Sequence, residues 1–310
     1  NEKALEIFHW QIKNIPVYKE YISSLKLKVE NINKIEEIPF LPIQFFKSRE
    51  VIEKGNSPEI IFKSSGTTET GRSQHFVADL NLYQQSFTKG FELAYGKVCN
   101  TCVIALLPNY QEQGDSSLVY MIDSLIEQSD HSKSGFYLNE KNALLDTLSE
   151  LKKSNTKTLL IGVTYALLDF IEKQKIDFSN LIVMETGGMK GRRKEIVREE
   201  LHEMLCAGFG VSKIHSEYGM TELLSQAYSC GNGVFNTPAW MKILTREISD
   251  PLSLCKENKT GGINVIDLAN ISSCCFISTQ DLGRKLGNNQ FEIIGRFDNS
   301  DTRGCNLMIG

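Results

Sequence analysis

Two short, uninterrupted apolar runs most tightly limit how this chain can fold: Thr158-Leu-Leu-Ile161 and Leu181-Ile-Val-Met184. Runs this brief and rich in branched side chains suit strands covered on both faces. Each is followed by a stretch with helical spacing: Tyr165 to Lys173 after the first, and about Lys194 to Cys206, past a glycine turn, after the second. Strand, turn and helix in repeated order predict an α/β domain with a largely parallel sheet. Residues 1 to about 45 read differently. Leu5, Phe8, Ile12 and Ile15 share one helical face there, and Pro39 and Pro42 forbid the helix from continuing. From about Gly233 the pattern turns to short β-like runs, Gly262-Ile-Asn-Val-Ile266 and Phe291-Glu-Ile-Ile294 among them. The expected organisation is a helical segment over 1–45, an α/β core over 46–232, a β-rich part over 233–296 and a tail over 297–310.

Several classes are excluded by charge and pattern. A net charge of -4 argues against a general nucleic-acid binder, which is usually basic. No apolar run reaches the length of a membrane span, and Asn1 to Trp10 has no signal-peptide core. The eight cysteines are scattered through 310 residues, a pattern of free thiols in a reducing cytoplasm. Cys99 and Cys102 form C-x-x-C, but no second pair or nearby histidine completes a zinc site. The expectation is a cytoplasmic protein with no nucleic-acid partner and no membrane span.

The strongest chemical signal is Ser64-Ser65-Gly66-Thr67-Thr68-Glu69-Thr70-Gly71-Arg72-Ser73. Glycines let backbone amides turn inward around an anion, and hydroxyls add donors for phosphate oxygens. From Gly66 the string also reads G-x-x-x-x-G-R-S, one substitution from a Walker A loop. A Walker A loop opens directly into a helix. Here the loop lies between strand-like Glu59-Ile-Ile-Phe62 and His75-Phe76-Val77, and only afterwards does Asp79 offer an N-cap to a helix carrying Leu80, Tyr83, Phe87 and Phe91. That context is wrong for a P-loop nucleotidase. Taken alone, the string also reads as a flexible surface turn.

Paired with Tyr218-Gly219-Met220-Thr221-Glu222, the loop resembles the adenylate-forming superfamily of acyl-CoA ligases and their relatives. The resemblance implies that the loop, Ser64, Ser65, Gly66, Thr67, Thr68, Gly71 and Arg72, holds the phosphates of ATP. It implies that Thr221 meets the α-phosphate and that Glu222 coordinates Mg²⁺. Thr279-Gln280-Asp281-Leu282-Gly283 resembles the segment whose Asp binds the ribose hydroxyls, and Gly295-Arg296-Phe297-Asp298 resembles the hinge whose Arg approaches the nucleotide. Glu185-Thr186-Gly187-Gly188-Met189 stands where the superfamily has its adenine-binding turn, and Tyr218 and Gly219 complete the nucleotide set. The physics agrees: displacing pyrophosphate from an α-phosphorus needs cradling donors, a divalent metal and a carboxylate to hold it. The implied fold is the large α/β domain, parallel sheets flanked by helices, plus a smaller β-rich C-terminal part. The chain stops at Gly310, shortly after Arg296, so the superfamily's mobile C-terminal domain and its lysine are expected to be absent or vestigial.

A narrower resemblance joins Ser65 to Ser73, Ser117-Leu-Val-Tyr-Met121, Thr186 to Arg193 and the Arg303-Gly304-Cys305 tail. From about Ile38 onward the chain looks like bacterial acyl-protein synthetases, the fatty-acid-activating components of luminescence reductase systems. That implies an AMP-forming acid–thiol ligase which loads Cys305 as a thioester and delivers the acyl group to a reductase or other acceptor protein. Chemically Cys305 suits the task, in a polar tail with Arg303 two residues away to favour the thiolate. The acceptor thiol remains open between Cys305, coenzyme A and a carrier protein, as does a non-catalytic, partner-binding subunit. Lys190, Arg192, Arg193 and Lys194 open a predicted helix, where positive charge opposes the dipole, and read equally as an anion site or a solvated face. His75 and His215 flank the two main motifs and read equally as packed or catalytic.

Overall fold

A computed structural model of the protein describes residues 1–65, 71–108, 114–187, 197–287 and 289–297. The chain divides into two compact units, one of residues 57–238 and one combining residues 1–56 with those from 239 on. The first stretch carries α1 (Glu2–Asn14), α2 (Pro16–Ser24), β1 (Leu41–Pro42) and α3 (Phe45–Ser48). Next come β2 (Ile60–Lys63), β3 (Gln74–Val77), α4 (Leu80–Tyr95), β4 (Cys102–Leu106), α5 (Ser117–Ser129), β5 (Gly135–Phe136) and α6 (Lys141–Lys153). They are followed by β6 (Thr158–Val163), α7 (Thr164–Ile171), β7 (Leu181–Thr186), α8 (Arg198–Phe209), β8 (His215–Tyr218), β9 (Ala227–Ser229) and β10 (Val234–Asn236). The last stretch holds β11 (Met241–Arg246), β12 (Gly261–Asp267), β13 (Phe276–Lys285) and β14 (Gln290–Arg296).

In the 57–238 unit, β5, β4, β6, β7 and β8 lie side by side and parallel, and β9 and β10 extend the sheet antiparallel. The two apolar runs are β6 and β7, neighbours in register with Leu160 beside Val183. Every residue of β4 and β6 is buried, which is why neither shows polar alternation. Helix α7 packs on β6 and β7, and Gly162 permits the approach: a Cβ there would lie 3.1 Å from Leu167 Cδ2 on α7. The helix expected from about Lys194 to Cys206 is α8, which instead starts at Arg198, after an extended Val197, and runs to Phe209.

β2 and β3 pair as a separate antiparallel hairpin, with Phe62 opposite His75. Asp79 caps α4 as expected, its Oδ1 accepting from Leu82 N–H at 2.8 Å. Tyr83, Phe87 and Phe91 form the buried stripe of that helix. The rings of Phe62, Tyr83, Phe87 and Tyr120 meet at centroid distances from 5.0 to 6.4 Å, so one aromatic cluster fastens the hairpin to α4 and α5.

In the second unit β11, β12, β13 and β14 form an antiparallel series, and β1 joins β13 in parallel. Phe276 on β13 takes Phe8, Tyr18 and Phe40 around its ring at 6.0 and 6.1 Å. The buried face of α1 is Ala4, Ile7, Phe8 and Gln11, with Ile15 just beyond. This corrects the expected face, because Leu5 and Ile12 only flank it. The reason is Gln11: its Nε2 donates to the carbonyls of Ile271 (2.8 Å), Asn270 (3.2 Å) and Ser273 (3.3 Å), and its Oε1 accepts from Cys275 N–H (3.0 Å). A buried amide is tolerated when its partners are this complete. Among the described residues, no helix is long and apolar enough to cross a membrane.

Candidate active site

A cleft of about 660 Å³ lies within the 57–238 unit, lined by residues that follow the carboxyl ends of β7 and β8. Open parallel sheets present ligand sites at that end, and the volume is in the usual range for a small-molecule site.

The hairpin β2–β3 supplies one wall through Lys63, Ser65 and Arg72. Both ends of its connecting loop are tied. Ser64 N–H donates to the Ser73 carbonyl at 3.0 Å, and Ser73 N–H donates back to Ser64 Oγ at 3.0 Å. The Arg72 guanidinium donates to the carbonyls of Ser64 and Lys63 and pairs with Asp115 Oδ2 at 2.8 Å. Gly71 has φ +85, a left-handed conformation that favours glycine at the loop exit.

A second wall is the N-terminus of α5, where Gly114, Asp115, Ser116, Ser117 and Leu118 face the cleft. Ser116 caps this thirteen-residue helix, its Oγ accepting from Val119 N–H at 3.4 Å. A helix start favours anions through its dipole and its unpaired amides.

The third wall joins Thr186 and Gly187, at the end of β7, to Glu217, Gly219, Met220, Thr221 and Gln226. Thr186 Oγ1 donates to Glu217 Oε2 at 2.6 Å, and Gly219 makes room for that carboxyl, since a Cβ there would lie 2.3 Å from Glu217 Oε1. Enclosure by protein pushes the Glu217 carboxyl up to about 7; Glu185 adds to the rise and the Thr186 hydroxyl opposes it.

The two flanking histidines separate by geometry. His75, wholly buried on β3, holds the Thr221 carbonyl with Nδ1 at 2.8 Å, so the nitrogen facing that acceptor carries the proton. It ties the β2–β3 hairpin to the second motif. His215 packs against Tyr95, whose hydroxyl is 3.2 Å from Nδ1, and burial lowers it to about 4, with Lys213 adding to the effect.

Of the residues singled out in the sequence, Ser65, Arg72, Gly187, Gly219 and Thr221 line this one cleft, with Ser64 and Gly71 at the base of its loop. Tyr218 is buried beside Phe235, ring centroids 5.8 Å apart, and Glu222 is buried directly after Thr221. Gly66, Thr67, Thr68, Gly188 and Cys305 lie outside the described residues, as do Lys190, Arg192, Arg193 and Lys194. Asp281 and Arg296 belong to the second unit, where they are opposite in the β13–β14 register, with Arg296 Nε 3.6 Å from Asp281 Oδ1. Lys63, Asp115 and Glu217 are cleft residues that the motifs did not indicate. Among the described residues no group of three or more His, Cys, Asp or Glu is placed to hold a metal alone. Mg²⁺ at a nucleotide is held by one or two carboxylates together with phosphates and water; Glu222, the expected ligand, is buried next to the cleft residue Thr221.

The family model for the acyl-protein synthetase LuxE matches residues 1–310. A comparison with curated protein sequences gives no match. Among solved structures, ATP-bound MatB from Rhodopseudomonas palustris is similar with TM-score 0.57 and 15% identity, over 76% of this chain and 47% of that one. 2-Hydroxyisobutyryl-CoA ligase in its postadenylation state with 2-HIB-AMP gives TM-score 0.68 and 10% identity, over 96% and 67%. A long-chain-fatty-acid-CoA ligase from Archaeoglobus fulgidus gives 0.55 and 13%, over 81% and 55%. The fold is that of the adenylate-forming ligases, and the chain spans about half the length of MatB.

Proposed function

The chain belongs to the acyl-protein synthetase family LuxE, and from that premise we propose that it activates a fatty or other carboxylic acid with ATP and passes the acyl group to the thiol of Cys305. In the first step a carboxylate oxygen attacks the α-phosphorus, the bond to the bridging oxygen breaks, and pyrophosphate leaves with the electron pair. The product is acyl-AMP. In the second step the Cys305 thiolate attacks the acyl carbon and AMP departs, leaving a thioester for a reductase or other acceptor protein.

The observation that supports this reading is the single cleft into which the loop hairpin, the α5 N-terminus and the segment around Thr221 converge. Backbone amides and hydroxyls of the loop from Ser64 to Gly71 are assigned to the phosphates. The positive end of α5 adds an anion-favouring field to the same space. Thr221, held through its carbonyl by His75, is assigned to the α-phosphate. Gly187, with Gly188, is assigned to the adenine side, Asp281 to the ribose hydroxyls and Arg296 to the nucleotide. Mg²⁺, held by Glu222 with phosphate oxygens, would offset charge building on the leaving pyrophosphate. Resemblance to structures named as CoA ligases supports a second reading, in which coenzyme A takes the acyl group instead.

The test is incubation of the pure protein and its Cys305→Ala variant with Mg·ATP and labelled fatty acids, followed by denaturing gels with and without hydroxylamine. Pyrophosphate release is recorded in parallel. Hydroxylamine-labile label that disappears in Cys305→Ala, with pyrophosphate release intact, is expected. Label that persists in Cys305→Ala refutes the assigned thiol, and CoA-dependent AMP release without protein label selects the second reading. No pyrophosphate release with any acid refutes the activity.

A further inference from the structure

The cleft must receive two anions, an acid carboxylate and a nucleotide phosphate, yet one of its own walls is a carboxylic acid. Glu217 reaches the cleft from near the end of β8, and its side chain is half-buried, enclosed by protein except toward that opening. Its position is held from two sides. Thr186, its partner in the β7–β8 register, gives a hydrogen bond to Oε2, and the bare Cα of Gly219 leaves room for Oε1. With Oε2 engaged by the Thr186 hydroxyl, Oε1 is the oxygen available to carry a proton. A protonated carboxyl donates a hydrogen bond that an ionised one cannot, and an ionised one repels any anion placed beside it.

We propose that Glu217 is a substrate-contacting residue of this site, acting in its protonated form as a hydrogen-bond donor to an anionic oxygen of the bound acid or nucleotide. The inference rests on the acid-activating reading above and deepens it. The surrounding charges favour the proton. Glu185 on β7 is a like charge that raises Glu217 further, and His202 Nε2 on α8 lies 3.8 Å from Glu185 Oε1. From β9 and α4 come Tyr228 and Tyr95, whose phenols are held neutral by burial in the first place. Among the described residues, the cations lining the cleft are Lys63 and Arg72, and Arg72 is paired with Asp115. With its carboxyl pushed up to about 7, Glu217 changes from donor to repelling anion within the physiological range. Substrate affinity should therefore weaken as pH rises through that value.

The test is calorimetric titration of dodecanoate and of AMP into the wild type, Glu217→Gln and Glu217→Leu, from about pH 6 to about pH 9. Gln keeps a donor at every pH; Leu removes it. For at least one ligand, wild-type affinity should fall above pH ~7, approaching about tenfold per pH unit. Glu217→Gln should lack that fall, and Glu217→Leu should bind weakly throughout. A slope with dodecanoate identifies the acid carboxylate as the recipient, and a slope with AMP identifies the phosphate. Identical pH dependence in wild type and Glu217→Gln, for both ligands, overturns the proposal. So does failure of the wild type to bind either one. Thermal melts check folding, and if the Leu variant does not fold, the comparison with Gln decides alone. Pyrophosphate release separates the two readings: a Glu217-dependent slope without release for any acid refutes acid activation and leaves the donor role standing.

Discussion

Replacing His75 by Phe tests whether the loop hairpin positions the second motif. His75 is wholly buried, and its Nδ1 lies 2.8 Å from the Thr221 carbonyl. Phe places a somewhat larger ring there and removes the Nδ1 donor to Thr221. A buried acceptor stripped of its donor costs about 1–3 kcal/mol. Thr221 is only half-buried, so water recovers part of the loss, which leaves about 1–2 kcal/mol. In urea that should lower the unfolding midpoint by about 0.5–1 M. If the same displacement is felt at the proposed contact of Thr221 with the α-phosphate, the rate of pyrophosphate release falls about 5- to 30-fold, at ~1.4 kcal/mol per factor of ten. The fall should appear in kcat more than in the KM for ATP, because the contact matters most as charge develops. His75→Asn places an amide N–H near the position of Nδ1 and should restore most of the rate. Equal rates for the folded Phe and Asn variants, or a Phe variant that loses stability with its rate unchanged, would refute the reasoning.

Gln11→Leu leaves the Cys275 N–H and three carbonyls without their partner and should destabilise the 1–56 and 239–297 unit by about 2–4 kcal/mol; hydrogen exchange of Cys275 reads this directly, and unchanged protection would count against it. Glu217 also predicts a pH slope in stability. Its folded value, about 7, lies above the ordinary 4.5, so the folded state holds more protons between those values and stability falls as pH rises through the window. The loss is at most about 3 kcal/mol, and Glu217→Gln should flatten the curve of urea midpoint against pH. Glu222→Gln should raise the Mg²⁺ needed for half-maximal pyrophosphate release by at least about tenfold, equivalent to ~1.4 kcal/mol; an unchanged requirement would remove Glu222 from the metal.

What could be read in advance depended on whether a residue's partners are near it in sequence. Asp79 caps a helix with an amide three residues on, and β6 and β7 announce themselves by continuous apolar runs, because both signals are local. The placement of the glycine loop between strands was legible for the same reason, and it excluded a P-loop nucleotidase. Gln11 was not legible. Its partners are residues 270–275, and nothing near position 11 marks a glutamine as inward-facing. Glu217 was missed because β8 has only four residues, His215–Tyr218, too few for a periodicity to show which side chain meets the cleft. Lys63, Asp115 and Thr186 line one cleft only because the β2–β3 hairpin, the start of α5 and the end of β7 converge there, which no single segment encodes.

The tie between Gln11 and residues 270–275 has a consequence during synthesis. The 57–238 unit is continuous in sequence and can close as soon as it emerges, whereas α1 waits until β13 has left the ribosome. Throughout that interval Phe8 and Tyr18 lack Phe276, the ring that will cover them. The apolar face of α1 and α2 therefore stays uncovered by β13 through that interval, a surface a holding chaperone could grip.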